Sequence, residues 1–472
     1  MAQRPYVYRF STDLRLDDHA GLAAAAARGE VLPVLVLDGA LQARLRRSPR
    51  RAAFFCGAVE ALDAELQERG SRLTSLRGPA AGSLIALARE VDAAGIAWSA
   101  AYDGDGAAED RRLQSDLEEA GLEAMLVHDA PAIAPEAIAT AHGDGYRAFA
   151  PFFDRWWSLA VASHEQPLLL QFLARRGDAT PLPRPQDFGS SQQVADAGSA
   201  RARALFERFL RDDVTRYQEA AAIPAADATS QLGAHLSFGT ISARTIARRC
   251  RERMGDPFAL AEERASLKLF LRSLARRDFF LQLSWFHPET QNEALQEKMR
   301  GFVWASNHPA LTRWIEGRTG HPLVDAGVRQ LQQTGWMHPY VRAVAASVLC
   351  YDLGVDWRVG REQWERLLVE DDPAVATGNW QWIAAVGADM AQYPRIYNPE
   401  RQRRRCDPAG TYVRRWIPQL RAVPAEAWYG RSDETPQLEL ALFGADAYPA
   451  PAVEHADAAR DFLARYREFV SP

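Results

Sequence analysis

Residues 31–38 read VLPVLVLD. The run is apolar almost throughout and lacks the every-second-residue alternation of a half-exposed strand. That is the pattern of a strand buried on both faces, found where helices cover a parallel sheet. Working outward, shorter strand-like runs recur as VYRF (7–10), RLTSLRG (72–78), IAWSAAYD (96–103) and LEAMLVHD (122–129). Amphipathic Ala- and Leu-rich stretches separate them, among them 50–70 and 80–95. Strand, helix, strand at this spacing predicts a five-stranded, doubly wound parallel sheet over residues 1–133. No G-x-G-x-x-G follows the first strand, so the dinucleotide fingerprint is missing.

Residues 134–200 read as a connector, and 177–199, GDATPLPRPQDFGSSQQVADAGS, as a surface linker without periodicity. From 201 to 472 the pattern becomes helical, as in 202–220, 241–255, 261–286, 322–335 and 340–354. The expected architecture is an α/β domain followed by an all-α domain.

The chain has 472 residues, room for two or three domains, and a formal net charge of −5. It is no general attractor of nucleic acid, so any DNA contact needs a local basic patch. Cys56, Cys250, Cys350 and Cys406 are far apart, with neither metal-ligand nor disulfide spacing, which predicts a reducing cytoplasm and no metal. The N-terminus shows no signal-peptide pattern, and no apolar run approaches the ~20 residues of a membrane span.

The unusual residues lie in the helical part. ATSQLGAHLSFGTIS (228–242) is a hydroxyl-rich loop entering a helix, suited to a phosphate or simply to a cap. HPALTRWIEGRTGHPLVDAGVRQLQQTGWMHPYVR (308–342) brings Trp336, Met337 and His338 together. VEDDPAVATGNWQW (369–382) carries Glu370 and Asp372, with Arg342 upstream as a candidate partner. GNWQWIAAVGADMAQYPRIYNP (378–399) is rich in indoles and poor in charge, as a core segment or an aromatic-cofactor site would be.

In order along the chain, these stretches resemble DNA photolyases and cryptochromes, in a class I-like form with a divergent substrate pocket. STDLRLDDHAGL (11–22), TSQL (229–232), EGRTGHPLVDAGVRQLQQTGWMH (316–338), VDWRVG (355–360), 378–399 and PAGTYVRRWIPQL (408–420) carry the resemblance. It implies FAD in the helical domain. Phosphate-side contacts fall on Tyr217, Thr229, Ser230, Gln231 and Leu232, with Gly233 where the family has a hydroxyl. Flavin-side contacts fall on Glu370, in place of the usual aspartate, and on Asp372, with Arg342 as the ion-pair partner. Phe270, Arg277, Trp336 and Ala376 complete the expected cofactor wall, Ala376 standing at the position near the flavin N5. The family's relay of three tryptophans matches Trp380, Trp357 and Trp304.

The substrate pocket departs from the resemblance. Ser273 and Arg276 replace a glutamate and a tryptophan of dimer-repair enzymes, and Pro339 replaces an asparagine. Ala343 also belongs to this pocket, and Trp382 is retained from the dimer-binding set. The resemblance implies a light-driven repair lyase with altered lesion choice, acting on damaged DNA as a monomer. A cryptochrome-like photoreceptor is the alternative, and a flavoprotein using Arg276 in its cavity for an anionic ligand is a third reading. Arg272, Arg276 and Arg277, with RQRRR at 401–405, are the expected DNA-facing charges. An antenna chromophore is expected against the N-terminal domain, though YDGDGAAEDRR (102–112) lacks the family's glutamate.

Overall fold

The computed structural model describes residues 4–160, 170–173, 181–370, 372–389, 394–429 and 448–470. Positions 371 and 390–393, inside two of the motifs above, lie outside the described residues. All five expected strands form: β1 Tyr6–Phe10, β2 Val31–Leu37, β3 Thr74–Arg77, β4 Gly95–Ser99 and β5 Glu123–Val127. They make one parallel sheet in the order β3-β2-β1-β4-β5.

β2 is buried at every position, as its composition predicts. Pro33 lies within it, although proline cannot donate to a ladder. Val31 exchanges backbone hydrogen bonds with Gln171 and Leu173 on the outer side, and β3 joins only from Val34 onward. Alternate residues of a parallel strand face alternate neighbours. Pro33 therefore faces the gap between those two pairings, where no donor is needed.

Helices cover both faces: α1 Ala20–Ala26, α2 Gly39–Arg46, α3 Pro49–Glu68, α4 Ala80–Glu90 and α5 Gly104–Glu119. α1 and α3 pack on one face through Leu22, Phe55, Val59, Leu62 and Leu66, and α4 and α5 on the other through Leu84, Leu87, Leu113 and Leu117. Each such side chain contributes roughly 1.5–3 kcal/mol by burial.

The expected connector is more structured than its composition suggests. It contains α6 Phe149–Ala160, which buries Phe149, Phe152, Phe153 and Trp156. Pro151 falls in the first turn, where its missing N–H costs nothing. Farther on, Phe188 and Ala197 join the core beneath α3, so that part of the linker is anchored to the domain.

The remaining helices are α7 Ser199–Arg208, α8 Tyr217–Ala220, α9 Gly233–Ser237, α10 Ala243–Gly255, α11 Ala261–Phe286, α12 Leu311–Ile315, α13 Pro322–Thr334, α14 Pro339–Ser347, α15 Trp357–Glu365, α16 Pro373–Ile383, α17 Pro399–Cys406, α18 Thr411–Trp416 and α19 His455–Val470. The chain forms two compact units. One comprises Met1–Thr215, Ser230–Gln291 and Val369–Val375; the other comprises Arg216–Thr229, Asn292–Leu368 and Ala376–Pro472.

Candidate functional site

Doubly wound sheets bind ligands where the strand order reverses, at the carboxyl ends of the strands. Here that point, between β1 and β4, is filled by protein. Asp13 accepts from Tyr8 Oη at 2.5 Å and from Ser99 Oγ at 2.7 Å, and His19 lies 3.2 Å away. Asp129, just past β5, pairs with Arg15 and Arg244 at 2.7 Å each. Burial alone would raise the Asp129 carboxyl, but Arg15, His19 and Arg244 outweigh it and hold the group well below the usual carboxylate range. This closed ionic cluster explains the missing glycine fingerprint: the crevice holds side chains. The N-terminus of α5 is occupied too, because Asp103 caps it and Gln291 Oε1 accepts from Gly104 N at 2.6 Å.

Within the first unit, several expected cofactor residues gather around the start of α9. Gln231 adopts a left-handed backbone at φ 54°, an uncommon conformation for a side chain of this kind. Leu232 beside it is buried. Ser230 Oγ accepts from Leu232 N at 3.5 Å. A Cβ on Gly233 would stand 3.7 Å from the Glu370 carboxyl, an ordinary contact distance, so the two positions are neighbours. Asp372 accepts from Val375 N at 3.2 Å at the start of α16, and Arg277 lies 3.6 Å from its carboxylate. Burial pushes the Asp372 carboxyl up, against the pull of Arg277. Arg277 also donates to the Ala130 and Leu236 carbonyls, so it works as an internal strut. Phe270 is buried, 4.6 Å from Phe209 between ring centroids.

Two expected pocket residues lie on α11. Ser273 is exposed, with its hydroxyl on the Leu269 carbonyl at 3.3 Å. The Arg276 guanidinium lies over the buried Phe149 ring of α6 at 4.4 Å. Arg272 covers Phe149 and Phe153, and Lys268 with Arg251 covers Trp157. Cations four residues apart on α11 thus meet aromatics four apart on α6.

In the second unit, Tyr217 is buried at the start of α8, and the Thr229 hydroxyl is buried with no hydrogen-bond partner among the described residues. A buried polar atom left without a partner is costly in a finished core and fits a segment awaiting a ligand. Trp336 is half-buried, edge-on to His338 at 6.0 Å. Pro339 is exposed at the first position of α14, Arg342 donates from Nε to the Met337 carbonyl at 2.8 Å, and Ala343 lies one turn beyond Pro339. Ala376 is half-buried on α16, and Trp382 packs against the core of this unit.

The three expected relay indoles all belong to this core. Trp380 and Trp357 are buried, and Trp304 is half-buried beside Phe302 at 4.8 Å and Phe462 at 5.8 Å. A backbone bridge joins Ala305 to Val355, and Asp356 N donates to the Ala305 carbonyl at 2.9 Å. That bridge fixes the segment of Trp304 against the start of α15, which carries Trp357. Gly360 fixes the next joint, since a Cβ there would stand 2.3 Å from Trp380 Cη2.

Sequence reasoning missed several neighbours. Trp364 lies 4.5 Å from Trp380 between ring centroids, and Trp314 stacks on Trp364 at 5.9 Å. Arg358 and Arg361 lie over the Trp357 ring at 4.7 and 5.3 Å. The i, i+3, i+4 spacing of Trp357, Gly360, Arg361 and Trp364 on α15 was the available signal. RQRRR also divides: Arg403 is buried with its guanidinium on the Asp407 carbonyl, Arg404 pairs with Glu400, and Arg401 and Arg405 are exposed.

Two family models match this chain: the FAD binding domain of DNA photolyase over residues 270–468, and DNA photolyase over residues 6–169. The deoxyribodipyrimidine photo-lyase of Halobacterium salinarum is 34% identical over 474 residues, covering 96% of this chain and 97% of that one. Among solved structures, a bacterial class III photolyase from Agrobacterium tumefaciens superposes with a TM-score of 0.84 at 29% identity, covering 99% and 98% of the two chains. An archaeal photolyase from Sulfolobus tokodaii, solved with two FAD molecules, gives 0.81 at 26% identity, covering 98% and 100%.

Proposed function

This chain belongs to the DNA photolyase family, and we propose that it is a light-driven, FAD-dependent DNA photolyase with an altered lesion pocket. The observation that carries this is the match to a deoxyribodipyrimidine photo-lyase along 96% of the chain, with the FAD-binding domain spanning 270–468.

When bound, FAD supplies the absorption of light and the one-electron chemistry. The chain's part is to hold and orient it. Tyr217, the unpartnered Thr229 hydroxyl, Ser230, Gln231 and Leu232 would hold the phosphate side. Asp372, Arg277, Arg342 and Glu370 would address the ring side, with Phe270, Trp336 and Ala376 as walls. Trp380, Trp357 and Trp304 would pass electrons inward from the half-exposed Trp304. Trp382 would stack on a flipped lesion, and the resemblance assigns Ser273, Arg276, Pro339 and Ala343 to lesion binding as well. None of these last four supplies the carboxylate or indole expected of a dimer-repair pocket. The Lys268–Arg272–Arg276 row on α11 supports contact with DNA phosphates. An antenna chromophore would need a different place from the capped start of α5.

No helix among the described residues is long and apolar enough to cross a membrane. We place the protein in the cytoplasm as a monomer; all four cysteines are free and buried, as in a reducing compartment. The test is light-dependent repair of a thymine-dimer oligonucleotide by protein whose reduced flavin is confirmed by absorbance in the same tube. Repair is expected. A photoreducible flavin without repair would reject the dimer-repair reading in favour of a photoreceptor or another substrate.

A further inference from the structure

We propose that Arg361 is a positioning residue of the tryptophan relay, and that its charge keeps the electron vacancy from resting on Trp357. The proposal rests on the relay reading above.

Arg361 touches Trp357 and is bonded to the helix that carries Trp380. Its guanidinium lies 5.3 Å from the Trp357 ring centroid, and Nη1 donates to Thr377 Oγ1 at 2.8 Å. Thr377 is one turn before Trp380 on α16, while Arg361 itself follows Gly360 on α15. One side chain therefore ties the helix of Trp357 to the helix of Trp380, at the contact Gly360 makes possible.

The charge acts differently on the two redox states of Trp357. A cation over a neutral indole is attracted by the ring's electron-rich face. The same cation beside an oxidised indole is a like charge in a poorly screened interior. Arg361 thus favours Trp357 reduced and disfavours it oxidised. Its side chain is only 13% exposed, so water screens it weakly.

The surrounding charges leave this effect in place. Arg358 is closer to Trp357, but it is one-third exposed and held by both Asp356 oxygens at 2.9 and 3.1 Å. Glu365 lies 3.5 Å from Arg361 and offsets it in part, while Glu362 points outward to pair with Arg366. Near Trp304, Arg465 is exposed and lies over Phe302, so its charge is screened by solvent.

The electron count closes with bound FAD as the acceptor. With FAD bound as the acceptor, Trp380 would give up one electron, Trp357 would refill Trp380, and Trp304 would refill Trp357. The net change would be one electron passed from Trp304 to the bound cofactor, and Trp304 is half-exposed and able to release its indole proton to water. A vacancy disfavoured on Trp357 moves outward to Trp304.

The test uses flavin-loaded protein carrying Trp304→Phe, so that the vacancy stops at Trp357, and reads the tryptophan radical by transient absorption. Arg361→Gln removes the charge but keeps a donor for Thr377, and is expected to lengthen the radical's lifetime severalfold. Arg361→Lys keeps the charge and should stay close to the parent. Glu365→Gln unmasks the charge and should shorten the lifetime, which keeps the proposal testable if Arg361→Gln fails to fold. Equal lifetimes in the Gln and Lys variants, or no shortening with Glu365→Gln, would overturn the proposal while leaving the relay intact. A radical signal unaffected by Trp357→Phe would overturn the relay itself, and this proposal with it.

Discussion

Gly360→Ala tests the joint between α15 and α16 with a single methyl group. In the native structure a Cβ at 360 would lie 2.3 Å from Leu349 Cδ2, 2.3 Å from Trp380 Cη2 and 2.7 Å from Trp380 Cζ3. The Leu349 methyl can swing aside, but the Trp380 ring is rigid. It already meets Trp364 at 4.5 Å between centroids. Restoring ordinary contact requires the indole edge or the helix to shift by more than an ångström. Overpacking of this kind costs about 1–3 kcal/mol. Alanine is the better helix former by about 1 kcal/mol, so the net expectation is a loss of up to roughly 2 kcal/mol. The first measurement is denaturant unfolding, where the midpoint should fall with an unchanged slope. The second is the rate of flavin photoreduction, which should fall under the proposed relay because Trp380 would move relative to the helix that carries Trp357. Stability at or above the parent together with unchanged photoreduction would refute the packing argument. A loss of stability alone would show that Trp380 keeps its place while Leu349 and the backbone yield.

Other perturbations address other links. Trp380→Phe should slow photoreduction strongly while leaving bound flavin absorbance intact; an unchanged rate in a pulsed-light assay would remove this indole from the relay. Burial lowers His235 and His338 from the ordinary 6.5 to about 4, so each stays neutral in the fold while the unfolded chain takes up a proton. Stability should therefore hold above pH 6.5 and fall between 6.5 and 4, by up to roughly 3 kcal/mol per histidine; a flat unfolding midpoint across that window would contradict it. Combining Ser273→Glu, Arg276→Trp and Pro339→Asn should raise dimer repair, measured as restored thymine absorbance per photon, and no gain would argue against the pocket assignment.

The sheet was legible because its signal is a composition that no other element tolerates. A run such as 31–38 is too apolar to be half-exposed and too short, between its neighbours, to be a core helix. Even Pro33 did not hide it, and only the structure gives the reason, namely the gap between the pairings of Val31 and Val34. α6 was hidden for the opposite cause. Aromatic residues have modest helix propensity and Pro151 interrupts the pattern, so the helix depends on tertiary burial of Phe149, Phe152, Phe153 and Trp156. The linker was misread in part because Phe188 and Ala197 are isolated apolar residues in a polar stretch, and isolation in sequence says nothing about what they meet.

The site divides along the same line. Motifs singled out the indoles and the acids, since those are the residue types the proposed chemistry would require. What they left out are the residues that set the environment of those groups. Gly360 has no side chain to draw attention, and arginines in RVGREQWERL look like an ordinary solvated face. Yet Arg361 is mostly buried against Trp357 and bonded to Thr377. Conversely, RQRRR looked like a phosphate clamp, although Arg403 is an internal strut and Arg404 is paired with Glu400. A charge's role depends on what lies within a few ångströms of it, and helical periodicity brings residues four apart together without saying which helix lies opposite. The altered pocket has the same logic. Arg276 stands in the sequence where the resemblance expects an indole, and its guanidinium lies over the buried Phe149 ring of α6. Substituting Arg276 alone would therefore lose this contact without supplying the carboxylate and the amide that Ser273 and Pro339 lack, which is why the test of lesion choice needs the three changes together.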